Sequence, residues 1–234
     1  MDYMFFDIEC AACKKGRGMI CEFGYVITDA QFNVKEKQIY LIDPQCEFDW
    51  YVLKKMVAYK KAAYLSSPTY QMVFPKIKEL FDRKDLYYFG HTVNADAGYL
   101  NDESRRFDLP FLAFVFYDVK DIYKSYAQTA EDVSVSRIAT QLSTPLPVHE
   151  HRSVDDAEAT MEIVKELCKR LEISPEELIQ RYPNCAGSTK DGRYHTNAFE
   201  LLKQNKRSKK RSSNFQKRNQ ERHFPTVLVL LPHA

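Results

Sequence analysis

Two acids stand two residues apart in an otherwise apolar stretch near the N-terminus, Met4-Phe5-Phe6-Asp7-Ile8-Glu9. Read as a strand, the stretch places Asp7 and Glu9 on one face and Phe6 and Ile8 on the other, because side chains alternate. Two carboxylates about 4 Å apart repel by roughly 4 kcal/mol at an effective dielectric near 20. Such a pair calls for a cation, and a divalent metal is the usual one. The other reading is that one acid caps a turn where the strand frays. Partners further along the chain decide between them.

Two stretches offer partners. Gly90-His91-Thr92-Val93-Asn94-Ala95-Asp96 runs from a strand end into a helix start, at the carboxyl edge where α/β sheets bind ligands. Asp96 equally suits the positive end of that helix on electrostatic grounds alone. His149-Glu150-His151-Arg152-Ser153-Val154-Asp155-Asp156-Ala157 precedes a long amphipathic pattern over Val154–Leu171. Ser153 and Asp156 fit a helix cap. Asp156 also adjoins Ala157 on the stripe that faces the sheet, and His151 in the preceding loop is close enough to reach the same point.

The elements that must position these residues follow from hydrophobic periodicity. Strands are expected at 4–9, 19–28, 35–42, 86–90 and 111–119, with a hairpin turn at 29–33 and a polar loop at 10–17. Helices are expected at 74–81 with Pro75 in the first turn, at 94–107, 119–127, 133–142 and 154–171, and from a Ser174 cap onward. One or two more fall within 43–66, and 142–149 is loop. Beyond 184–192, read as a connection, come a short helix near 196–204, a basic tract and an apolar end at 224–232. This order is that of an α/β layered fold with a mixed sheet holding one antiparallel member.

Composition narrows the class. The chain has 234 residues, 44% of them hydrophobic, and no apolar run near the roughly 20 residues of a membrane span. The N-terminus lacks a basic-then-apolar signal, so a cytoplasmic protein without a membrane partner is expected. Six scattered cysteines (10, 13, 21, 46, 168, 185) show no disulfide framework, which fits a reducing compartment. Cys10-Ala11-Ala12-Cys13 has the C-x-x-C spacing without a second pair; it reads as loop, with a redox or zinc role as the alternative. The net charge of +2 conceals a division: residues 203–222 hold nine Lys/Arg and one acid, leaving 25 basic against 31 acidic residues elsewhere.

Taken together, Phe6-Asp7-Ile8-Glu9, His91 to Leu100 with Asp96, and His151-x4-Asp156-Ala157 resemble the three motifs of the DEDDh 3′→5′ exonucleases. That group contains ribonuclease T and the proofreading subunit of DNA polymerase III. The similarity covers roughly residues 3–172, and Met19–Thr28 resembles the family's second strand. The five-residue interval from His151 favours Asp156 over Asp155. Two positions depart from the family pattern: Thr92 follows the second-motif His where Asn is common, and Ala95 precedes Asp96 where Phe is common. Asn94 does not fall on the usual Asn position, so the packing that orients Asp96 must be built differently.

The resemblance implies a ribonuclease H-like mixed five-stranded sheet over 1–172; beyond it the residues themselves read as a helical extension at 173–202 and a basic, flexible tail with an apolar end at 203–234. The resemblance also implies that Asp7, Glu9, Asp96 and Asp156 hold two divalent cations, Mg2+ or Mn2+. Asp7 would bridge them, Glu9 and Asp156 complete the first, and Asp96 hold the second. Two ions about 4 Å apart clamp the attacking and leaving oxygens of a phosphodiester. His151 would take a proton from water as general base, for which a reference pKa near 6.5 is suited. The substrate would be the 3′ end of single-stranded RNA or DNA, and the product a nucleoside 5′-monophosphate. Phosphate contacts are expected from Lys14, Lys15 and Arg17, or these are merely solvated; Lys206, Arg207, Lys209, Lys210 and Arg211 offer more in the tail. The competing class is an exonuclease-fold protein that binds nucleic acid or regulates without cleaving. No protein partner can be named.

Overall fold

The structure, a computed structural model, describes residues 1–14 and 17–196. Seven strands form one sheet in the order β3-β2-β1-β4-β5-β6-β7. They are β1 (Asp2–Lys14), β2 (Arg17–Thr28), β3 (Val34–Leu41), β4 (Leu86–Gly90), β5 (Phe114–Asp118), β6 (Ala186–Lys190) and β7 (Arg193–Thr196). β1, β4 and β5 run parallel; β2 is antiparallel to β1, and β6 to β5.

The central strand is apolar on both faces because both are covered. Met4, Phe6 and Ile8 pack with α3 (Tyr70–Asp82) and α4 (Val93–Arg106). Tyr3 and Phe5 pack on the opposite face with α5 (Val119–Ala127), α6 (Val135–Leu142), α7 (Ser153–Leu171) and α8 (Pro175–Arg181). Two short helices, α1 (Trp50–Lys55) and α2 (Lys61–Leu65), lie beside the far end of β1, where the Asp49 amide donates to the Ala11 carbonyl at 2.9 Å. Ala11, Cys21 and Tyr64 form a small separate core there.

The mixed α/β architecture and its helices match expectation; four details differ. Of the loop expected at 10–17, residues 10–14 continue β1 and Arg17 opens β2, with irregular pairing on both sides of Cys10, because Ala11 and Ala12 are buried there. α3 begins at Tyr70 and places Pro75 in its interior. Tyr70, Val73 and Phe74 extend the buried stripe of Ile77, Leu80 and Phe81 by a full turn, and that burial outweighs one missing backbone hydrogen bond.

The sheet has seven strands instead of five because the connection expected at 184–192 is half of a hairpin. Its two-residue turn is Asp191-Gly192, with φ of 53° and 70°, the left-handed pair that such a turn demands and that Asp-Gly supplies. Of the extension expected to be helical over 173–202, the described part, 173–196, is therefore helix only in α8 and a 3-10 turn at Pro183–Cys185. The helix expected near 196–204 begins where description ends, and the basic tract and apolar end lie outside the described residues. No helix among the described residues is long and apolar enough to cross a membrane.

One glycine sets the distance between helix layer and sheet. Gly24 pairs with Asp7 across the β1–β2 ladder, and a Cβ there would collide with the Val154 amide and with Ser153 at the start of α7. Gly24→Ala should lower unfolding free energy by about 1–3 kcal/mol, as overpacking does, read from urea midpoints. An unchanged midpoint would mean that α7 is not seated directly on β2.

Candidate active site

The parallel pairing of β1 with β4 ends at Phe5 and Phe89, and β4 itself ends at Gly90. β1 runs on past this point with β2 on one side and no strand on the β4 side, so Asp7 and Glu9 project from the carboxyl edge of the sheet. They continue the row of Tyr3 and Phe5 toward α7. The edge opens into a cleft of about 640 Å³ whose walls include Asp7, Glu9, His91, Lys120, Arg137, His151 and Asp156.

Three of the expected residues converge closely: a ligand atom from each of Glu9, His151 and Asp156 lies within 4.8 Å of the others. His151 Nδ1 is 3.5 Å from Glu9 Oε1. The His151 backbone is left-handed at φ 62°, and its amide donates to Asp156 Oδ2 at 2.9 Å. That bond ties the histidine loop to the helix. Asp155 turns elsewhere, accepting from the His149 amide at 3.1 Å and lying 3.5 Å from the Arg152 guanidinium. Of the two adjacent aspartates, Asp156 faces the cleft. Asp96 is 5% exposed, and its Oδ2 has no hydrogen-bond partner.

The electrostatics follow from this crowding. Burial first, then the charges of Asp96, Glu9 and Asp156, push the Asp7 carboxyl well above its ordinary range. Asp96 is raised by burial and by Asp118 and Glu9; Asp156 is pushed up to about 7 by burial and Glu9. Burial raises Glu9 against the opposing pull of His151. The hydrogen bond to Glu9 in turn raises His151. Among the described residues no lysine or arginine forms an ion pair with any of the four acids. A buried set of hard oxygen donors with an orphaned carboxylate oxygen fits a divalent cation.

Two further acids hold the arrangement, and sequence reading did not single them out. Glu22, fully buried, accepts the Ser153 amide at 3.3 Å and the Ser153 hydroxyl at 3.2 Å on one oxygen, and the Tyr64 hydroxyl on the other. The expected Ser153 cap is thus corrected: Arg152 occupies the cap position without a side-chain bond, because Ser153 is committed to Glu22. Asp118 accepts the amides of Thr92 at 3.2 Å and Val93 at 3.0 Å, while also capping α5 through the Lys120 amide at 3.0 Å. With Thr92 left-handed at φ 64°, this clamp aims the start of α4 and hence Asp96. It is the different construction that Thr92 and Ala95 require. Glu22 carried a legible signal, an acid inside an apolar strand as at Asp7; Asp118 sat at a strand end and carried none.

The expected phosphate contacts are less well placed. Arg17 is exposed at the start of β2 and is not on the cleft wall. The side chains of Lys14 and Lys15, and all of Lys206, Arg207, Lys209, Lys210 and Arg211, lie outside the described residues. The cleft carries cations the sequence reading passed over: Lys120, 3.0 Å from Asp132, and Arg137, 2.5 Å from Glu131. His91 also lines it, its pKa lowered to about 4 by burial and by Lys120.

Known proteins share this arrangement of elements. The PolC-type DNA polymerase III of Caldanaerobacter subterraneus subsp. tengcongensis is 23% identical over 176 residues, covering 73% of this chain and 12% of that protein. This chain therefore spans about an eighth of that relative. The nuclease domain of 3′hExo, a DEDDh family member bound to rAMP, is 12% identical with a TM-score of 0.63, covering 72% of this chain and 92% of that one. E. coli Exonuclease I in complex with a dT13 oligonucleotide is 16% identical with a TM-score of 0.59, covering 78% and 43%. These likenesses show a shared ribonuclease H-like fold. The family model for the RNase T type, described as Exonuclease, matches residues 4–164, more than half of the chain and the whole of the acid cluster. The chain accordingly belongs to the RNase T exonuclease family.

Proposed function

We propose that this chain is a 3′→5′ exonuclease that removes nucleoside 5′-monophosphates from single-stranded RNA or DNA. The observation that carries the reading is the meeting of Glu9, His151 and Asp156 within 4.8 Å, beside Asp7 and Asp96, with no lysine or arginine among the described residues paired to any of the four acids. Family membership supports the polarity. The bound rAMP and dT13 of the two structural neighbours support RNA or DNA ends as substrate.

Asp7, Glu9, Asp96 and Asp156 would hold two divalent cations, Mg2+ or Mn2+, which supply charge neutralisation and Lewis-acid stabilisation of the phosphodiester. Asp7 is the group through which the cluster is joined, since Asp96, Glu9 and Asp156 all act on it. His151 is the general base. The hydrogen bond to Glu9 raises the His151 pKa; were Glu9 to hold a cation, His151 would be released from that partner to accept a proton from water. Lys120 and Arg137 on the cleft wall are positioned for substrate phosphates, and the basic tract at 203–222 would add attraction for the strand behind them.

A time course on 5′-labelled single-stranded RNA and DNA of one sequence tests the reading. A ladder shortening from the 3′ end, dependent on Mg2+ or Mn2+, stopped by EDTA and abolished in Glu9→Ala, is expected. No cleavage of either strand would favour a nucleic-acid-binding role. His151→Ala should reduce kcat by about 10²–10⁴, the usual worth of a general base, while Mn2+ binding measured by titration changes little. A parallel loss of Mn2+ binding would make His151 a ligand instead.

Stability should also report the cluster. Glu22, at about 6, and Asp156, at about 7, bind protons more tightly folded than unfolded. Their contribution is therefore complete below the unfolded carboxylate range and is lost as pH rises through those values. The thermal midpoint without added cation should fall between about pH 4.5 and 7.5. Adding Mn2+ at the upper pH should restore several degrees. A midpoint that rises across this window would contradict the crowding of like charges.

A further inference from the structure

Beyond the acid cluster, β1 carries a second reactive pair. Its pairing with β2 is irregular on both sides of Cys10, so that Cys10 lies opposite Ile20 and Cys13 opposite Gly18. Residues three apart on a regular strand face opposite ways; the extra residue here brings Cys10 and Cys13 to one face. The Cys10 and Cys13 side chains lie close enough to act on one another. Gly18 leaves room for the pair: a Cβ there would stand 2.8 Å from Cys10 Sγ and collide with the Tyr99 ring. Cys13 Sγ is also hydrogen-bonded to the Tyr99 hydroxyl at 4.0 Å. Both thiols are free, Cys13 is exposed, and neither belongs to a metal-ligating group among the described residues.

We propose that Cys10 and Cys13 form a thiol–disulfide exchange site, oxidised by a low-molecular-weight disulfide to an intrastrand bond that displaces Glu9 from the acid cluster. The exposed Cys13 attacks one sulfur of the small disulfide. The S–S bond breaks, and the released thiolate takes up the proton Cys13 has lost. The Cys10 sulfur then attacks Cys13 in the mixed disulfide and expels the second small thiol, which carries away the Cys10 proton. One small disulfide is reduced to two thiols, and the dithiol is oxidised. The Cys10 side chain pulls the Cys13 thiol down to about 6, so that it attacks as thiolate near neutral pH.

The coupling to the acids is geometric. Two same-face neighbours on a strand have Cα atoms about 7 Å apart, the outer limit for a disulfide. Closing the bond must therefore draw in the irregular segment that begins directly after Glu9. Tyr99, which touches Cys13, lies one helical turn beyond Asp96 on α4. The dithiol thus touches both elements that bring acids to the cleft from this side. A bond formed under such strain is easily reduced again, as a reversible switch requires. The loss of catalysis rests on the exonuclease reading; formation of the bond does not.

The full-length protein, equilibrated in mixtures of reduced and oxidised glutathione, acid-quenched and digested with trypsin, yields the test. The fragment Met1–Lys14 contains these two cysteines and no other. It should lose two hydrogens in oxidising mixtures, while Mn2+ affinity falls at least about tenfold, the scale of a disturbed ligand shell, and nuclease rate falls with it. Dithiothreitol should reverse all three. Cys13→Ser should abolish the response to oxidation and leave Mn2+ binding of the reduced protein unchanged. A fragment that stays a dithiol, carries only a glutathione adduct or cross-links to Cys21 would overturn the proposal, as would a closed bond with unaltered Mn2+ affinity. A reduced protein that binds Mn2+ and cleaves nothing would sink the exonuclease reading and leave this one standing.

Discussion

The structure is arranged around an electrostatic cost: four carboxylates are held together where water is scarce, and among the described residues no lysine or arginine pairs with them, His151 alone drawing on Glu9. Burial and mutual repulsion push in the same direction at Asp7, Asp96 and Asp156, so the cluster stores free energy that only protons or cations can release. Something must resist that pressure. The resistance comes from the hydrophobic layers on both faces of β1, which fix the strand, and from directed hydrogen bonds that fix the two helices.

Those bonds come from acids acting as acceptors, not as ligands. Glu22 takes the start of α7 by its Ser153 amide and hydroxyl; Asp118 takes the start of α4 by two amides. Each places a carboxylate against amides at or just before a helix start, where the helix dipole favours negative charge. Each in so doing fixes a neighbouring carboxylate of the acid cluster, Asp156 and Asp96 respectively. The helix dipole stabilises the holder, and the held residue bears the strain. His151 completes the pattern with its left-handed backbone, a conformation that costs free energy and that its amide bond to Asp156 maintains.

Much of this was readable in the residues. The alternation of Asp7 and Glu9 within an apolar strand, and the His151 to Asp156 interval before an amphipathic helix, located the acids on their elements because periodicity governs both strand and helix. The errors have equally specific causes. Pro75 suggested a helix start, but tertiary burial of Tyr70, Val73 and Phe74 carried α3 a turn further back. Asp191-Gly192 was a turn signal in plain view, overlooked because the flanking Ala186–Lys190 and Arg193–Thr196 lack a strong apolar alternation. Asp118 was invisible since its role depends on the amides of residues 92 and 93, which no local pattern connects to it. Long-range hydrogen bonds are written in three dimensions and leave no spacing to read.

The bond between Ser153 and Glu22 spans 131 positions of chain. This has a consequence for the order in which the molecule acquires its chemistry during synthesis. A ribosome releases β1, β2 and β4 long before α7, and domains fold as their segments become available. Until the residues around Ser153 emerge, the sheet can form with Asp7, Glu9 and Asp96 in place, yet Asp156 and His151 are absent. The nascent chain is therefore an incomplete acid cluster. For the exonuclease proposed above, topology alone supplies a temporal safeguard: its acid cluster closes only when α7 has been delivered.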